Sequence, residues 1–221
     1  MDCSIVTCIT GNFNKLHSTN IDKSYVYTTL KDREFRDHAK LQGWTFKRLP
    51  FFHSYNLREA TKQSKYVKFL KYFDADTKYV IYADHKYMVE KKHAEQLIKT
   101  LGNNAFLSFK NPCSIYKELF NSLGYPRYTQ DLHEMVRCIN DNMLYVESLE
   151  LFYGGLMVFN TEHPDFNNIK NKMEEYVLKY DHVQDQLLFP IALKDQHKVL
   201  VNNTFGIKHK NPQMDIPGKT Y

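Results

Sequence analysis

The stretch YVIYADHKYMV (79–89) begins as a strand and changes character at its sixth residue. Its first five residues, mostly aromatic and β-branched, are typical of a buried strand. Asp84, His85 and Lys86 follow at once, and the sequence then turns apolar again up to Val89. A carboxylate, an imidazole and an ammonium group at a strand end indicate a polar site for a phosphate or a metal ion. The alternative is a turn in which the Asp84 side chain bonds local backbone amides.

Strand and helix patterns alternate on both sides of this stretch. Apolar strands are predicted at 3–10, 24–29, 44–49, 78–83, 105–109, 150–160 and 198–201. Helices are predicted at 33–43, 57–73, 91–102, 113–123, 129–142, 165–180 and 184–195. This alternation predicts an α/β fold, with a mainly parallel central sheet flanked by helices on both faces. Such sheets bind ligands at the carboxyl ends of their strands, which is where Asp84 lies.

Composition limits the classes of protein. The 221 residues suit one domain (1–221), and 43% apolar with 25% charged residues is ordinary for a globular protein. The net charge of +5 suits an anionic ligand without requiring nucleic acid. The four cysteines include no Cys-x-x-Cys pair, so we expect them to be reduced and mostly buried. We also expect a cytoplasmic location, because the N-terminus lacks the basic start of a signal peptide and no apolar run approaches the ~18 residues of a membrane span.

The clearest predicted helix, LREATKQSKYVKFLKYF (57–73), carries Arg58, Lys62 and Lys65 at spacings of four and three residues. The three cations therefore share one stripe of the helix. They could clamp a phosphate group, or they could form an ordinary solvated face. The acid pair of the following FDADT segment, Asp74 and Asp76, precedes the strand and is expected at the opposite edge of the sheet.

Two later segments could face the same edge as Asp84. YGGLMVFN (153–160) places Gly154 and Gly155 before an apolar strand, where they either let a ligand approach the backbone or form a β-bulge. HVQDQLLF (182–189) places Asp185 and Gln186 in the first turn of a helix. They either face a cleft or reflect the general preference of acids for helix N-termini.

The chain end contains a third candidate segment, NTFGIKHKNP (203–212). Its basic residues, Lys208, His209 and Lys210, stand close to a glycine. They could close over a diphosphate, or they could belong to a disordered terminus.

Taken in order, these segments resemble GT-A glycosyltransferases, which are nucleotide-sugar-binding α/β domains. Their hallmark is an apolar strand that ends in Asp-x-Asp. VIYADHKYMV is similar to it, with Asp84 as the first acid and Lys86 in place of the second. FYGGLMVFN and the later QDQ resemble the corresponding strand and Asp-Gln pair of the glycogenin-like, galactosyltransferase-related branch.

Because of the lysine at position 86, the chain resembles another family more than it resembles the glycogenin-like branch. This family is the glycosyltransferase-like domain of plant mucilage and pollen-turgor proteins and their bacterial and viral relatives. That family commonly has Asp-x-Lys here, after an Arg/Lys-rich helix that LREATKQSKYVKFL resembles. LSFKNPCSIYKEL (107–119) is similar to its FKHP…IYEE motif, and ITGNFNKL (9–16) to its opening segment.

The resemblance implies transfer of a hexose from a nucleotide sugar, with UDP expected, to a hydroxyl of a glycan, a lipid-linked glycan or a protein. It implies the following donor contacts: Thr10, Arg58, Lys62, Lys65, Asp84, His85, Lys86, Gly154, Gly155, Lys208 and Lys210. Asp185 would grip the donor sugar or act as the base on the acceptor, and Gln186 would lie near the anomeric carbon.

The resemblance also implies a divalent metal, Mn²⁺ or Mg²⁺, held by Asp84 and His209. Lys86 would repel such an ion, so the alternative is that Lys86, Arg58 and Lys65 act as fixed cations on the diphosphate. The missing second acid also motivates a non-catalytic nucleotide-sugar-binding module as the alternative function. An RNA-binding domain fits less well, because no known RNA motif accompanies the basic residues.

Overall fold

The computed structural model describes residues 1–11, 15–73 and 76–209. Its strands are β1 (Cys3–Ile9), β2 (Lys23–Thr28), β3 (Thr45–Arg48), β4 (Tyr79–Ala83), β5 (Tyr87–Met88), β6 (Phe106–Lys110), β7 (Phe152–Asn160), β8 (Lys198–Val201) and β9 (Lys208–His209). Seven of them form one sheet in the order β3-β2-β1-β4-β7-β6-β8, and β5 pairs with β9. Neighbouring strands of the large sheet are parallel except where β7 pairs with β4 and β6.

The helices are α1 (Arg33–Leu41), α2 (Leu57–Lys68), α3 (Lys91–Leu101), α4 (Ile115–Ser122), α5 (Pro126–Thr129), α6 (Leu132–Asn140), α7 (Met143–Val146), α8 (Phe166–Tyr180) and α9 (Asp185–Ala192). The predicted α/β fold with a mainly parallel sheet is confirmed. Two details differ from the prediction. The helix expected at 129–142 is present as the shorter α6, with the unpredicted short helices α5 and α7 before and after it, and the tail beyond 201 includes β9, because its backbone pairs with β5.

The sheet separates two apolar cores, which explains why β4 is apolar throughout. Val80 and Tyr82 belong to one core, together with residues of α2, α8 and α9. Ile81 and Ala83 belong to the other, together with residues of α1 and α3. Successive side chains of a strand point to opposite faces, so every side chain of a strand that is covered on both faces is buried and tends to be apolar.

The antiparallel strand β7 determines which groups meet at the carboxyl edge of the sheet. Because β7 runs against β4, its first residues lie beside the last residues of β4, and Leu156 pairs with Ala83. The pairing of β6 with β7 shifts register there, since Ser108 pairs with Met157 but Phe109 pairs with Tyr153. The predicted glycine pair therefore lies in a bulge at the edge where Asp84 ends its strand.

Other sequence predictions can be compared with the structure directly. All four cysteines are free, with Cys113 partly exposed and the other three buried, as predicted. Asp76 pairs with Lys23 at the first residue of β2, on the edge opposite Asp84, whereas Asp74 lies outside the described residues. In the part of the chain that the structure describes, no helix has the length and apolar character needed to cross a membrane.

Candidate functional site

A cavity of about 780 Å³ opens at the carboxyl edge of the sheet. This volume is within the range of small-molecule sites. Its walls come from α2, the first turn of α9, the residues after β1, β4 and β8, and the start of β7. The predicted site residues that line it are Thr10, Lys65, Asp84, His85, Lys86, Gly155, Asp185, Gln186 and His209. Segments distant in sequence are thus brought together by the topology of the sheet.

The end of β4 is a turn that also belongs to the cavity wall. The turn is closed through the Asp84 carbonyl rather than its side chain, and a phosphate or metal contact of Asp84 stays a prediction. The Tyr87 N–H donates to the Asp84 carbonyl at 2.9 Å, closing a turn over 84–87. The Asp84 N–H donates to the Gly155 carbonyl at 2.7 Å. The Tyr82 hydroxyl donates to Asp84 Oδ1 at 2.7 Å. These bonds fix the carboxylate at the cavity.

Two buried lysines of α2 line the cavity. Lys65 Nζ lies 3.0 Å from Asp185 Oδ2, and the two side chains are only 3% and 7% exposed. Lys68 Nζ also pairs with Asp185, lies 3.3 Å from Asp84 Oδ1 and donates to the Gly154 carbonyl at 3.0 Å. Lys68 was not predicted as a site residue. Its spacing of three from Lys65 was the available signal, because residues three apart on a helix are neighbours.

The electrostatics of this cluster follow from burial and pairing. Burial alone would raise the pKa of Asp185, but Lys65 and Lys68 outweigh it and hold that pKa well below its usual range. Burial lowers the pKa of Lys65 to about 8, against the opposing effect of Asp185. Lys68 is equally buried, but Asp185 and Asp84 together raise its pKa above the usual value. Lys68 therefore holds its proton firmly, whereas Lys65 titrates closer to neutrality.

The outer half of the predicted cationic stripe belongs to a different ion-pair network. Arg58 Nε lies 2.5 Å from Asp131 Oδ1, and its guanidinium also lies 3.5 Å from Asp181. Lys62 pairs with Asp181. Neither cation is among the residues that line the cavity. Arg58 and Lys62 thus tie α2 to the segments before α6 and after α8, and a donor contact from them stays a prediction.

The C-terminal segment reaches the cavity through one of its three predicted residues. His209 lines the cavity, and its ring lies 4.7 Å from that of Tyr87. Burial and Lys86 lower the pKa of His209. Lys208 is exposed on β9 and is not part of the lining, and Lys210 lies outside the described residues.

Gly155 is required by close packing against the Asp84 turn. A Cβ there would lie 2.9 Å from Asp84 Oδ2 and 2.9 Å from Tyr87 Cε2. These distances are shorter than van der Waals contact, so a larger residue would push the carboxylate or the tyrosine ring aside. The glycine pair thus makes room for the acids rather than only forming a bulge.

Gln186 is held from below by a polar network that the LSFKNPCSIYKEL motif supplies. Asn111 Nδ2 donates to Gln186 Oε1 at 3.2 Å and to Glu118 Oε2 at 3.1 Å. Gln184 Nε2 donates to Glu118 Oε1 at 3.2 Å. Because Asn111 donates to the Gln186 oxygen, the Gln186 amide group can present its N–H donors to the cavity.

Replacing Asn111 by leucine tests this network. Asn111→Leu removes a buried donor and leaves oxygens of Glu118 and Gln186 unsatisfied, which is expected to destabilise the protein by about 1–3 kcal/mol. We expect nucleotide affinity to be kept, because Asn111 does not line the cavity. Thermal denaturation and nucleotide titration measure the two effects. Asn104→Leu, far from this network, is the matched control. An equal loss of stability in both variants would contradict the assignment of Asn111 to a network that supports Gln186.

Two other cationic side chains line the cavity and were not predicted. Lys110, the last residue of β6, pairs with Glu150 at 2.6 Å. The Arg127 guanidinium lies over the Tyr128 ring at 4.7 Å. Lys110 belongs to the LSFKNPCSIYKEL segment but was not singled out there, and Arg127 belongs to none of the segments quoted above, so only the folded chain identifies them as part of the cavity.

The described side chains do not form a metal site. They contain no group of three or more His, Cys, Asp or Glu residues placed to hold an ion. Asp84 Oδ1 already accepts bonds from Tyr82 and Lys68. An ion bound at that oxygen would lie roughly 5 Å from Lys68 Nζ, where charges of +2 and +1 repel by roughly 7 kcal/mol at an effective dielectric of about 20. Among the described residues, no third His, Cys, Asp or Glu completes a site with the predicted ligands Asp84 and His209, and Lys68 competes for Asp84.

Comparison with known proteins identifies the fold. No protein-family model matches the chain, and no curated protein matches it in sequence. Among solved structures, the galactosyltransferase LgtC in complex with donor and acceptor sugar analogues is 14% identical, with a TM-score of 0.50 over 90% of this chain and 73% of that one. The glycosyltransferase GlyE of Streptococcus pneumoniae TIGR4 is 12% identical, with a TM-score of 0.52 over 92% of this chain and 46% of that one.

The bifunctional glycosyltransferase WbbM is 13% identical, with a TM-score of 0.51 over 89% of this chain. The present chain spans 38% of WbbM and less than half of GlyE. At such identities the likeness shows the fold alone, and that fold is the GT-A fold. The narrower resemblances to the glycogenin-like branch and to the mucilage and pollen-turgor family stay predictions.

Proposed function

We propose that this protein is a glycosyltransferase that moves a hexose from a nucleotide sugar, with UDP as the expected nucleotide, to a hydroxyl group of a glycan, a lipid-linked glycan or a protein. One observation carries the proposal. Lysines and aspartates converge with Gly155 in a cavity of about 780 Å³ at the carboxyl edge of a GT-A sheet. Cationic groups suit the diphosphate, and the glycines and acids leave polar space for a sugar.

The donor diphosphate is assigned to the cationic side of the cavity. Lys65, Lys68 and Lys86 all line it, and Lys68 also lies 3.3 Å from Asp84. Fixed cations stabilise the negative charge that develops on the leaving nucleoside diphosphate when its bond to the anomeric carbon breaks. His85, beside them, has a pKa lowered by burial and serves as a neutral hydrogen-bonding group at neutral pH.

The sugar is assigned to the side of Gly155, Asp185 and Gln186. Of the two roles predicted for Asp185, its surroundings favour gripping sugar hydroxyls over acting as base. Two buried lysines hold the pKa of Asp185 well below its usual range, so it is a weak proton acceptor. An ionised carboxylate that keeps its charge is a strong hydrogen-bond acceptor for hydroxyl groups.

Purified protein tests the proposal in two steps. Calorimetric titration with UDP and GDP measures nucleotide binding, and release of UDP from UDP-hexoses, with and without sugar acceptors, measures bond cleavage. We expect UDP to bind and at least one UDP-hexose to be cleaved. A protein that binds no nucleotide would overturn the proposal. Binding without any cleavage, unchanged in Asp185→Asn, would favour the non-catalytic module that the missing second acid suggests.

The affinity for UDP is expected to fall as the pH rises through about 8, the pKa of Lys65. The protonated form of Lys65 carries the charge that attracts the diphosphate, so affinity is highest below this pKa and decreases above it, by at most about tenfold per pH unit for one proton. Lys65 is faced by Asp185 from α9, Lys68 from α2, Asp84 after β4 and His182 before α9.

The measurement is a series of UDP titrations at pH values on both sides of 8. Lys65→Arg provides the comparison, because arginine stays charged throughout this range and its affinity profile should be flat. A wild-type profile as flat as that of the variant would contradict the role of Lys65.

A further inference from the structure

The lysine–aspartate cluster contains as much positive as negative charge. Lys65 and Lys68 provide two ammonium groups, and Asp84 and Asp185 provide two carboxylates. A divalent ion between two carboxylates gives the same balance. A metal added to the existing cluster would leave an excess of two positive charges next to buried lysines.

Lys68 lies between the two acids, where a bridging cation would be needed. Its ammonium group has three hydrogen-bond donors, and the structure gives it three acceptors: Asp84, Asp185 and the Gly154 carbonyl. The side chain is only 6% exposed, so it cannot leave the site without rearrangement of α2. Lys68 is therefore held in place by the same carboxylates that a metal would need.

Lys65 and Lys86 can serve the other purpose of a metal, which is contact with the diphosphate. Both line the cavity, and Lys86 stands where the second acid of Asp-x-Asp would stand. Lys68 thus bridges the two acids, while Lys65, which also pairs with Asp185, and Lys86 would face the phosphate groups.

We propose that Lys68, together with Lys65 and Lys86, replaces the divalent metal ion, so that the protein binds its nucleotide-diphosphate donor without metal. This inference rests on the proposed function. Its chemical basis is that ammonium groups and a divalent ion satisfy the same carboxylates and phosphates, and both cannot occupy the space between Asp84 and Asp185.

The first experiment needs only the wild-type protein. UDP is titrated after exhaustive treatment with EDTA and again with MnCl₂ or MgCl₂, and bound Mn²⁺ is measured directly by electron paramagnetic resonance. We expect the affinity for UDP to change by less than about threefold and no stoichiometric Mn²⁺ to bind, with or without UDP. UDP binding that requires Mn²⁺ would overturn the inference and leave the proposed function standing. A protein that binds no nucleotide under any condition would instead overturn the proposed function.

The second experiment removes the buried cation. Lys68→Met keeps the length of the side chain but leaves Asp84 and Asp185 with one positive charge fewer, so UDP affinity without metal is expected to fall by about tenfold or more. The two carboxylates, no longer bridged by Lys68, should now attract Mn²⁺. The resonance signal detects this ion, which should restore part of the UDP affinity. Lys71→Met is the matched control, because Lys71 pairs with Glu174 away from the cavity. If Lys68→Met is folded and keeps wild-type affinity in EDTA, the inference is wrong.

Discussion

Asp185→Asn is expected to lower the rate of sugar transfer by roughly 100- to 1000-fold while UDP still binds. The carboxylate is buried against Lys65 and Lys68 and stays ionised, so it offers the donor sugar a charged acceptor that asparagine cannot replace. Its removal frees positive charge for the diphosphate, which is why nucleotide affinity should be kept. Steady-state rates at saturating donor, with UDP titration in parallel, separate the two effects.

The same substitution is expected to destabilise the fold by about 3 kcal/mol, because it leaves two buried ammonium groups with fewer partners. Asp131→Asn is the control for this effect. Asp131 is also a buried acid paired with a cation of α2, Arg58, but it does not line the cavity. Both variants should unfold at lower denaturant concentration, and only Asp185→Asn should lose transfer. If both variants lost the same fraction of their transfer rate, the loss in Asp185→Asn would be explained by reduced stability alone.

Gly154→Ala is expected to lower the transfer rate by roughly 100-fold, because a misplacement of about 1 Å at a reacting group has an effect of that size. A Cβ at this position would lie 2.7 Å from Asp185 Oδ2 and 2.8 Å from its Cγ. Asp185 cannot move aside easily, since both lysines bind it in a buried site. Overpacking of this kind is also expected to destabilise the protein by about 1–3 kcal/mol.

Gly124→Ala is the matched control for that prediction. The nearest atom to a Cβ there is the Asn121 carbonyl oxygen at 3.4 Å, an ordinary contact, and the site lies between α4 and α5 outside the cavity lining. Transfer rates and denaturant midpoints are measured for both variants. If Gly154→Ala is as active and as stable as Gly124→Ala, Asp185 is held less tightly than its contacts indicate.

Local patterns in the sequence were sufficient for most of the fold. β4 is recognisable because a strand covered on both faces has an unbroken apolar run, and α2 because its apolar residues recur every three or four positions. The prediction of a helix at 129–142 located α6 but missed the short helices α5 and α7 on either side of it, since a single helical turn is too short for periodicity to indicate.

The sequence also indicated several residues of the cavity, including Asp84, Lys86, Asp185 and Gln186. Their segments end strands or begin helices, and the rule that parallel sheets bind ligands at their carboxyl edge placed them together. Arg58 and Lys62 were predicted as site residues together with Lys65, because their spacing places all three on one stripe of α2. The helix stripe alone could not show that acids before α6 and after α8 bind the first two cations.

The α/β class, the order of the main strands and helices along the chain, and the polar end of β4 could all be predicted from the sequence, because each depends on short-range periodicity and side-chain chemistry. The folded chain was needed to show that β7 runs antiparallel beside β4, and hence that Gly154 and Gly155 meet the two acids. It also decided that Lys68 lies between Asp84 and Asp185. These contacts join residues from 16 to 117 positions apart, as in Lys68 with Asp84 and with Asp185, and such pairings arise from the packing of the whole chain rather than from any local pattern.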